Sequence, residues 1–159
     1  AAWRAAHRPQ AEQRPRQQDP CDVERSQEQA AQQIRRWFEA EGWDVCLYEF
    51  DPYFVHADCT LGMLTDNLIA ACTDVVTPEV KEWLTGLGIE MLDVPFRYVG
   101  DLGINVVSLG QDRVLLPKQS DFLADRCRAL GLEVYDPDVS AITMVGGGIH
   151  CMCQPLRRD

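Results

Sequence analysis

The chain has 159 residues, of which 46% are hydrophobic and 25% are charged, and its formal net charge at pH 7 is -10. This length and apolar fraction suit one globular domain, and no apolar run approaches the roughly 20 residues of a membrane-spanning helix. Residues 41–159 carry eight Lys or Arg against nineteen Asp or Glu. Such a body should repel nucleic acid and favour cationic small molecules, although acidity can also serve solubility alone.

The cysteines and the N-terminal residues indicate the cellular compartment in which the protein is located. Seven cysteines are an odd number, and their spacing suggests no disulfide framework, which favours free thiols in a reducing environment. The first residues contain no apolar signal core. We therefore expect a cytoplasmic protein.

The first 24 residues differ in composition from the rest. Gln, Arg, Pro and Ala dominate them, with almost no periodic apolar pattern. Such a composition cannot form a packed core and predicts disorder. The folded domain is therefore expected to comprise residues 25–159.

An internal repeat begins at Ser26, where a predicted helix is followed by a stopping glycine and a predicted strand. The glycines are Gly42, Gly88 and Gly131, spaced 46 and 43 residues apart. Such a period indicates one repeated supersecondary unit. The three copies cover residues 26–48, 77–94 and 120–135.

Further strand patterns lie between these copies, so each unit reads strand, strand, helix, strand. The second and third helices have Thr77 and Ser120 as predicted caps, and Gly110-Gln111-Asp112 predicts a hairpin. Repeated ββαβ units predict an α/β fold shaped as an incomplete propeller-like barrel. An open ring exposes strand edges, so we expect either a missing N-terminal portion or a homo-oligomer. The additional strand patterns are residues 55–63, 67–72, 104–109 and 113–116.

The most specific motif is Gly146-Gly147-Gly148-Ile149-His150-Cys151. Glycine permits positive φ and a close approach of the backbone to a neighbour, so this segment suggests that a cysteine is delivered to a tight site. A Cys attacks as the thiolate and needs a cationic or His-paired setting. The alternative is a buried, inert thiol.

A second motif is His56-Ala57-Asp58, in a predicted strand. Residues i and i+2 of a strand point to the same face, so His56 and Asp58 would present an imidazole for proton transfer and a carboxylate for binding a cation. An ordinary surface pair is the alternative. These groups, with Cys59, His150, Cys151 and Cys153, could also bind a metal, but the paired Cys-x₂₋₄-Cys spacing of structural zinc sites is lacking, and we expect no metal.

Together, Gly-Gly-Gly-Ile-His-Cys, the downstream Pro155-Leu156-Arg157-Arg158 and the upstream His-x-Asp resemble the guanidino-group-modifying enzymes, or penteins. This superfamily includes arginine deiminases, dimethylarginine dimethylaminohydrolases and amidinotransferases. The resemblance covers residues 25–159. It implies a five-bladed αβ propeller, of which the repeat would supply three modules.

The resemblance also implies roles for individual residues. Cys151 would be the nucleophile, His56 the general acid and base, and Asp58 the carboxylate that binds the guanidinium of an arginine-like substrate. No metal or organic cofactor would be required. Supporting or pocket-lining positions would be Gly147, Gly148 and His150.

Family members normally carry a further acidic motif, often Glu-Gly-Gly-Asp, in an earlier module. Residues 1–24 contain no match, and Asp19 and Asp22 are poor substitutes. Two functions therefore remain open: a Cys-dependent hydrolase or amidinotransferase acting through a covalent intermediate, and a truncated, non-catalytic member that acts in binding or assembly.

Overall fold

The computed structural model describes residues 20–54, 56–100, 102–144 and 146–154, with side chains from residue 27 onward. The predicted disorder of residues 1–24 falls mostly outside this range. The chain divides into two units, residues 1–47 and 48–159. Among the described residues, no helix is both long enough and apolar enough to cross a membrane.

The described part of the first unit is dominated by helix α1, Pro20–Ala40. The predicted start at Ser26 is wrong, because the helix begins six residues earlier at Pro20, a residue suited to a first helical turn. Gly42 follows the helix with a φ of +87°, which agrees with its predicted role as a stop. The strand predicted at residues 43–48 does not form, since the structure shows no pairing partner for this segment within the described residues.

The second unit contains two three-stranded sheets of the same design. In each sheet, two antiparallel strands are followed by a helix and by a third strand parallel to the second. The first module comprises β1 Leu61–Met63, β2 Leu68–Ala71, α2 Pro78–Gly86 and β3 Glu90–Asp93. The second comprises β4 Val107–Gly110, β5 Arg113–Leu115, α3 Asp121–Ala129 and β6 Glu133–Tyr135.

The ββαβ repeat is thus confirmed in the two later copies. Thr77 and Ser120 precede α2 and α3, as predicted, and the stopping glycines Gly88 and Gly131 have φ values of +76° and +85°. Because the first copy lacks its strand, the described residues hold two complete modules instead of the predicted three. Two short helices follow, α4 Ser140–Thr143 and α5 Ile149–Met152.

The core of the second unit joins both modules. Leu64 and Val94 come from the first module, and Ile104 and Leu116 come from the second; all four are fully buried in one cluster. Burial of apolar side chains is the main favourable term in folding. The shared core therefore fixes the two modules against each other. The segments that precede β1 and β4 contribute residues to this core.

Gly62 lies where the first module packs closely against the second. A Cβ atom there would be 2.5 Å from the Ile104 carbonyl oxygen and 2.7 Å from Val106 Cγ1. Gly86, at the end of α2, has no such neighbour within 4 Å. We expect Gly62→Ala to lower the free energy of unfolding by about 1–3 kcal/mol through overpacking.

The matched change Gly86→Ala should leave stability unchanged or raise it by up to ~1 kcal/mol, because alanine favours a helix and restricts the unfolded chain. Urea unfolding of both variants measures the difference. Equal effects of the two substitutions would contradict the close contact between the modules.

Two thiols, Cys72 and Cys127, are fully buried in this core. Burial raises the pKa of both, and that of Cys127 rises from the ordinary 9.0 to about 11, because an apolar surrounding disfavours the thiolate.

Cys151 and Cys153 are exposed. At pH 8, a thiol reagent should therefore label Cys151 and Cys153 in the folded chain and reach Cys72 and Cys127 only after denaturation.

The same pKa elevation predicts a pH dependence of stability. Between pH 9 and about 11 the unfolded chain ionises Cys127 while the folded chain keeps it protonated, so the free energy of unfolding should fall as the pH rises through this window. Urea titrations at pH 8 and pH 10.5 of the wild type and Cys127→Ala measure the effect. A decrease of the same size in both proteins would exclude Cys127 as its source.

Candidate functional site

The His-x-Asp motif lies on a tight turn that leads into β1. His56 has extended backbone, and residues Ala57–Cys59 form one turn of 3₁₀ helix. The strand predicted over residues 55–63 is therefore wrong before Leu61. His56 and Asp58 lie outside the strand, so the alternation of side chains along a strand does not determine where they point. The turn is closed by the Thr60 side chain and N–H, which both donate to the Ala57 carbonyl. Hydrogen bonding within the turn thus fixes the backbone from which the His56 and Asp58 side chains project.

The glycine segment behaves as its composition predicts. Gly146 and Gly147 have φ values of +84° and +109°, which side chains rarely adopt. Gly148 has an ordinary φ, but a Cβ there would lie 2.8 Å from Asn105 Cβ and 2.5 Å from its Cγ. The glycines therefore allow both the sharp turn and the close approach that place Ile149 in the core and Cys151 at the surface.

These two segments bring together three groups that the sequence singled out. A ring nitrogen of His56, a carboxylate oxygen of Asp58 and the sulfur of Cys151 all lie within 4.8 Å of one another. Cys151 Sγ is 3.6 Å from Asp58 Oδ2. A thiol, an imidazole and a carboxylate therefore share one site, an arrangement that is compatible with covalent catalysis.

The carboxylate of Asp58 is held from two sides. His150 Nδ1 lies 2.9 Å from its Oδ2, and Asn105 Nδ2 donates to the same oxygen at 3.0 Å. Asp58 is largely buried, with 19% of its side chain exposed, whereas half of the His150 side chain is exposed. These two contacts fix the position of the Asp58 carboxylate beside the Cys151 sulfur.

The predicted supporting residues lie around this centre in different ways. His150 contacts Asp58 directly. Gly147 lies beside Cys151, since a Cβ on it would be 3.8 Å from the Cys151 Cβ, and Gly148 is buried against Asn105. Their roles in substrate binding stay predictions.

Asn105 was missed in the sequence analysis, although it lies at the centre of the site. It is 1% exposed, and its side chain contacts Asp58, Cys151 Sγ at 3.4 Å and the backbone N–H of His150 at 2.8 Å. One signal could have revealed it: a lone asparagine within the apolar run from Ile104 to Val107. A buried polar side chain needs hydrogen-bond partners, so its position in a core segment implies such contacts.

A cavity of about 240 Å³ opens beside Asp58. Asp58, His150 and Cys153 line its polar part, and β1, β2 and β4 supply most of the remaining wall, which is largely apolar. Its apolar and small side chains are Leu61, Met63, Ile69, Val106, Val107 and Ser108. An acidic group against an apolar wall suits a cation that carries an aliphatic chain.

The three clustered donors could also bind one metal ion, since imidazole, carboxylate and thiolate are all metal ligands. The predicted further ligands are placed differently. Cys59 lies next to Asp58 with its sulfur 4.0 Å from Oδ1, and Cys153 lines the cavity. In the described part of the chain, the group of mutually close donors comprises His56, Asp58 and Cys151.

Sequence comparison identifies relatives of this chain. An N(G),N(G)-dimethylarginine dimethylaminohydrolase of Mycobacterium tuberculosis is 32% identical over 107 residues, and an uncharacterized protein of Bacillus subtilis is 23% identical over 105 residues. The alignments cover 67% and 66% of this chain. They span only 35% and 36% of the two relatives, so the chain matches about a third of their length.

Solved structures share the fold. One is SxtG, an amidinotransferase of Microseira wollei from the saxitoxin biosynthetic pathway. Its superposition covers 88% of this chain and 42% of the SxtG chain, with a TM-score of 0.65 and 18% sequence identity. The N-terminal domain of ArgZ, a cyanobacterial arginine dihydrolase, matches 75% of this chain and 43% of its own with a TM-score of 0.61 at 16% identity. At these identities the likeness establishes a common mixed α/β architecture.

The family model described as eukaryotic N,N dimethylarginine dimethylhydrolase matches residues 18–158, which is most of the chain. That match includes both ββαβ modules, the His-x-Asp turn and the glycine-led cysteine segment. The chain therefore belongs to the dimethylarginine dimethylhydrolase family, within the guanidino-group-modifying, or pentein, superfamily.

Proposed function

We propose that this chain carries the nucleophile-bearing part of a Cys-dependent enzyme that modifies arginine, a substituted arginine or a related guanidine. The observation that carries the proposal is the convergence of His56, Asp58 and Cys151 within 4.8 Å. Family membership supports the reaction class, because the dimethylarginine relative is an aminohydrolase and the structural neighbour SxtG is an amidinotransferase.

Charge favours a guanidinium as the ligand. This group is planar, cationic and protonated at neutral pH, and carboxylates accept its paired N–H donors. Asp58 lies 3.6 Å from the Cys151 sulfur. A guanidinium bound by Asp58 would therefore place its central carbon close to the nucleophile, which is the gain that proximity contributes to catalysis.

The proposed reaction has two halves. In the first, the Cys151 thiolate bonds to the guanidinium carbon, one C–N bond breaks, and protonated His56 gives its proton to the departing amine. In the second, His56 takes a proton from water or from an acceptor amine, which attacks the same carbon. The S–C bond then breaks, and the thiolate returns. Water gives a ureido product, and an amine gives a transferred amidino group, so no oxidant or cofactor is consumed.

A non-catalytic role is the second candidate. The chain matches about a third of its relatives' length, and residues 1–24 contain no Glu-Gly-Gly-Asp-like motif. One carboxylate alone would bind a guanidinium less firmly, since each charge-assisted hydrogen bond contributes about 1.5–3 kcal/mol. With the guanidinium bound less firmly, this chain would act in binding or assembly without turnover.

Turnover separates the two candidates. We expect the chain to release citrulline with ammonia or a methylamine from L-arginine or an N-methylated arginine, or to transfer the amidino group to an added amine such as glycine. Cys151→Ser should lower the rate by about a thousandfold or more, as loss of a catalytic nucleophile does, and His56→Ala by about a hundredfold or more.

Cys46→Ser is the matched control, because Cys46 is also a solvent-accessible cysteine but belongs neither to the cluster of His56, Asp58 and Cys151 nor to the cavity lining. Its turnover should stay near that of the wild type. Turnover that survives in Cys151→Ser would refute the nucleophile assignment. If the wild-type chain turns over none of these substrates, the non-catalytic candidate is favoured. Elemental analysis of the purified chain tests the metal alternative, and zinc in stoichiometric amount that is lost in His56→Ala would support it.

A further inference from the structure

We infer that Asn105 is a positioning residue that holds the sulfur of Cys151 and the carboxylate of Asp58 in the relative geometry that the reaction needs. This inference rests on the proposed function and assigns a role to a residue outside the predicted site motifs.

Both the nitrogen and the oxygen of the Asn105 side-chain amide make hydrogen bonds within the site. The amide group donates to Asp58 Oδ2 at 3.0 Å and to Cys151 Sγ at 3.4 Å, and its oxygen accepts the His150 N–H at 2.8 Å. The residue is 1% exposed, so water does not compete for these contacts. Three directed hydrogen bonds to a buried amide define the side-chain orientation and the distances between its partners.

Asn105 also links segments that are far apart in sequence. It lies 47 residues from Asp58 and 46 from Cys151, and it precedes β4 in the second module. Asp58 lies before β1 in the first module, and Cys151 lies on α5. The amide is therefore a direct polar connection between the two parts of the site.

The charges at the site give the Asn105 amide a further role. The Cys151 sulfur and the Asp58 carboxylate are 3.6 Å apart, so a thiolate at this place would face an anion. An amide that donates to both groups offsets their repulsion without adding a charge. Aspartate at position 105 would keep the acceptor for the His150 N–H but would place another anion against both groups. Leucine would match the side-chain size and remove all three hydrogen bonds.

Gly148 packs closely against the Asn105 side chain. A Cβ at this position would lie within 2.8 Å of the Asn105 Cβ, so any side chain there must displace the amide. Gly148→Ala thus perturbs Asn105 without replacing it. This offers a second, independent change of the same contact.

The test uses two reagents of nearly the same shape, cationic 2-chloroacetamidine and neutral 2-chloroacetamide. Their rates of alkylation at Cys151 and Cys153 are followed by peptide mass spectrometry on the full chain. For the wild type we expect faster labelling of Cys151 by the cationic reagent, because Asp58 holds the amidinium near the sulfur. In Asn105→Leu and Gly148→Ala this preference should fall by about tenfold or more, because the carboxylate and the sulfur lose their alignment.

Ser120→Ala is the matched control. Ser120 is also a buried polar residue, 4% exposed, but its hydroxyl donates to the Leu102 carbonyl and touches none of the site groups. Its reagent preference should equal that of the wild type. Protection of the buried Cys72 and Cys127 in the same digest shows that each variant is folded.

An unchanged preference for the cationic reagent in folded Asn105→Leu would overturn the inference. Labelling of Cys72 and Cys127 in both site variants would also overturn it, because Asn105 would then have a structural role. Equal rates of the two reagents on the wild type would contradict the proposed function. In that case the Cys151-to-Cys153 ratio with 2-chloroacetamide decides the inference. A lower ratio in Asn105→Leu supports it, and an unchanged ratio overturns it.

Discussion

The missing side chain of Gly148 is the constraint on which the site depends. Because no Cβ stands there, the Asn105 amide packs directly against the backbone that leads to Cys151 and hydrogen bonds the His150 N–H. From this position it also reaches Asp58 and the Cys151 sulfur. The Asp58 carboxylate and the Cys151 sulfur, 3.6 Å apart, are thus connected through one buried amide.

The fold supplies that amide and its partners from different places. Two ββαβ modules share one core, and the segments that precede their first strands carry Asp58 and Asn105. The chain then returns past the second module through α4 and the glycine turn to α5. Stability resides in the sheets and the buried core, while the reactive groups lie on short connecting segments, the usual division between scaffold and function.

Much of this arrangement was predictable from local sequence signals. Glycine stops, helix caps and apolar periodicity located α2, α3 and their flanking strands, and the glycine run pointed to Cys151. The turn at His56 was misread as a strand, because a single 3₁₀ turn leaves no periodic pattern. Asn105 was missed because its partners lie more than forty residues away, and the strand at residues 43–48 failed because strand propensity does not provide a neighbour to pair with.

The central claim is that Cys151 receives the amidino carbon of a guanidine, and trapping the covalent intermediate tests it most directly. The chain is incubated with L-arginine, quenched with acid and digested, and the mass of the peptide that contains Cys151 is measured. The account predicts an added amidino group if ornithine departs first, or an added arginine less ammonia if ammonia departs first, and neither in Asp58→Asn. An unmodified Cys151 peptide during measurable turnover, or the adduct on another cysteine, would contradict it.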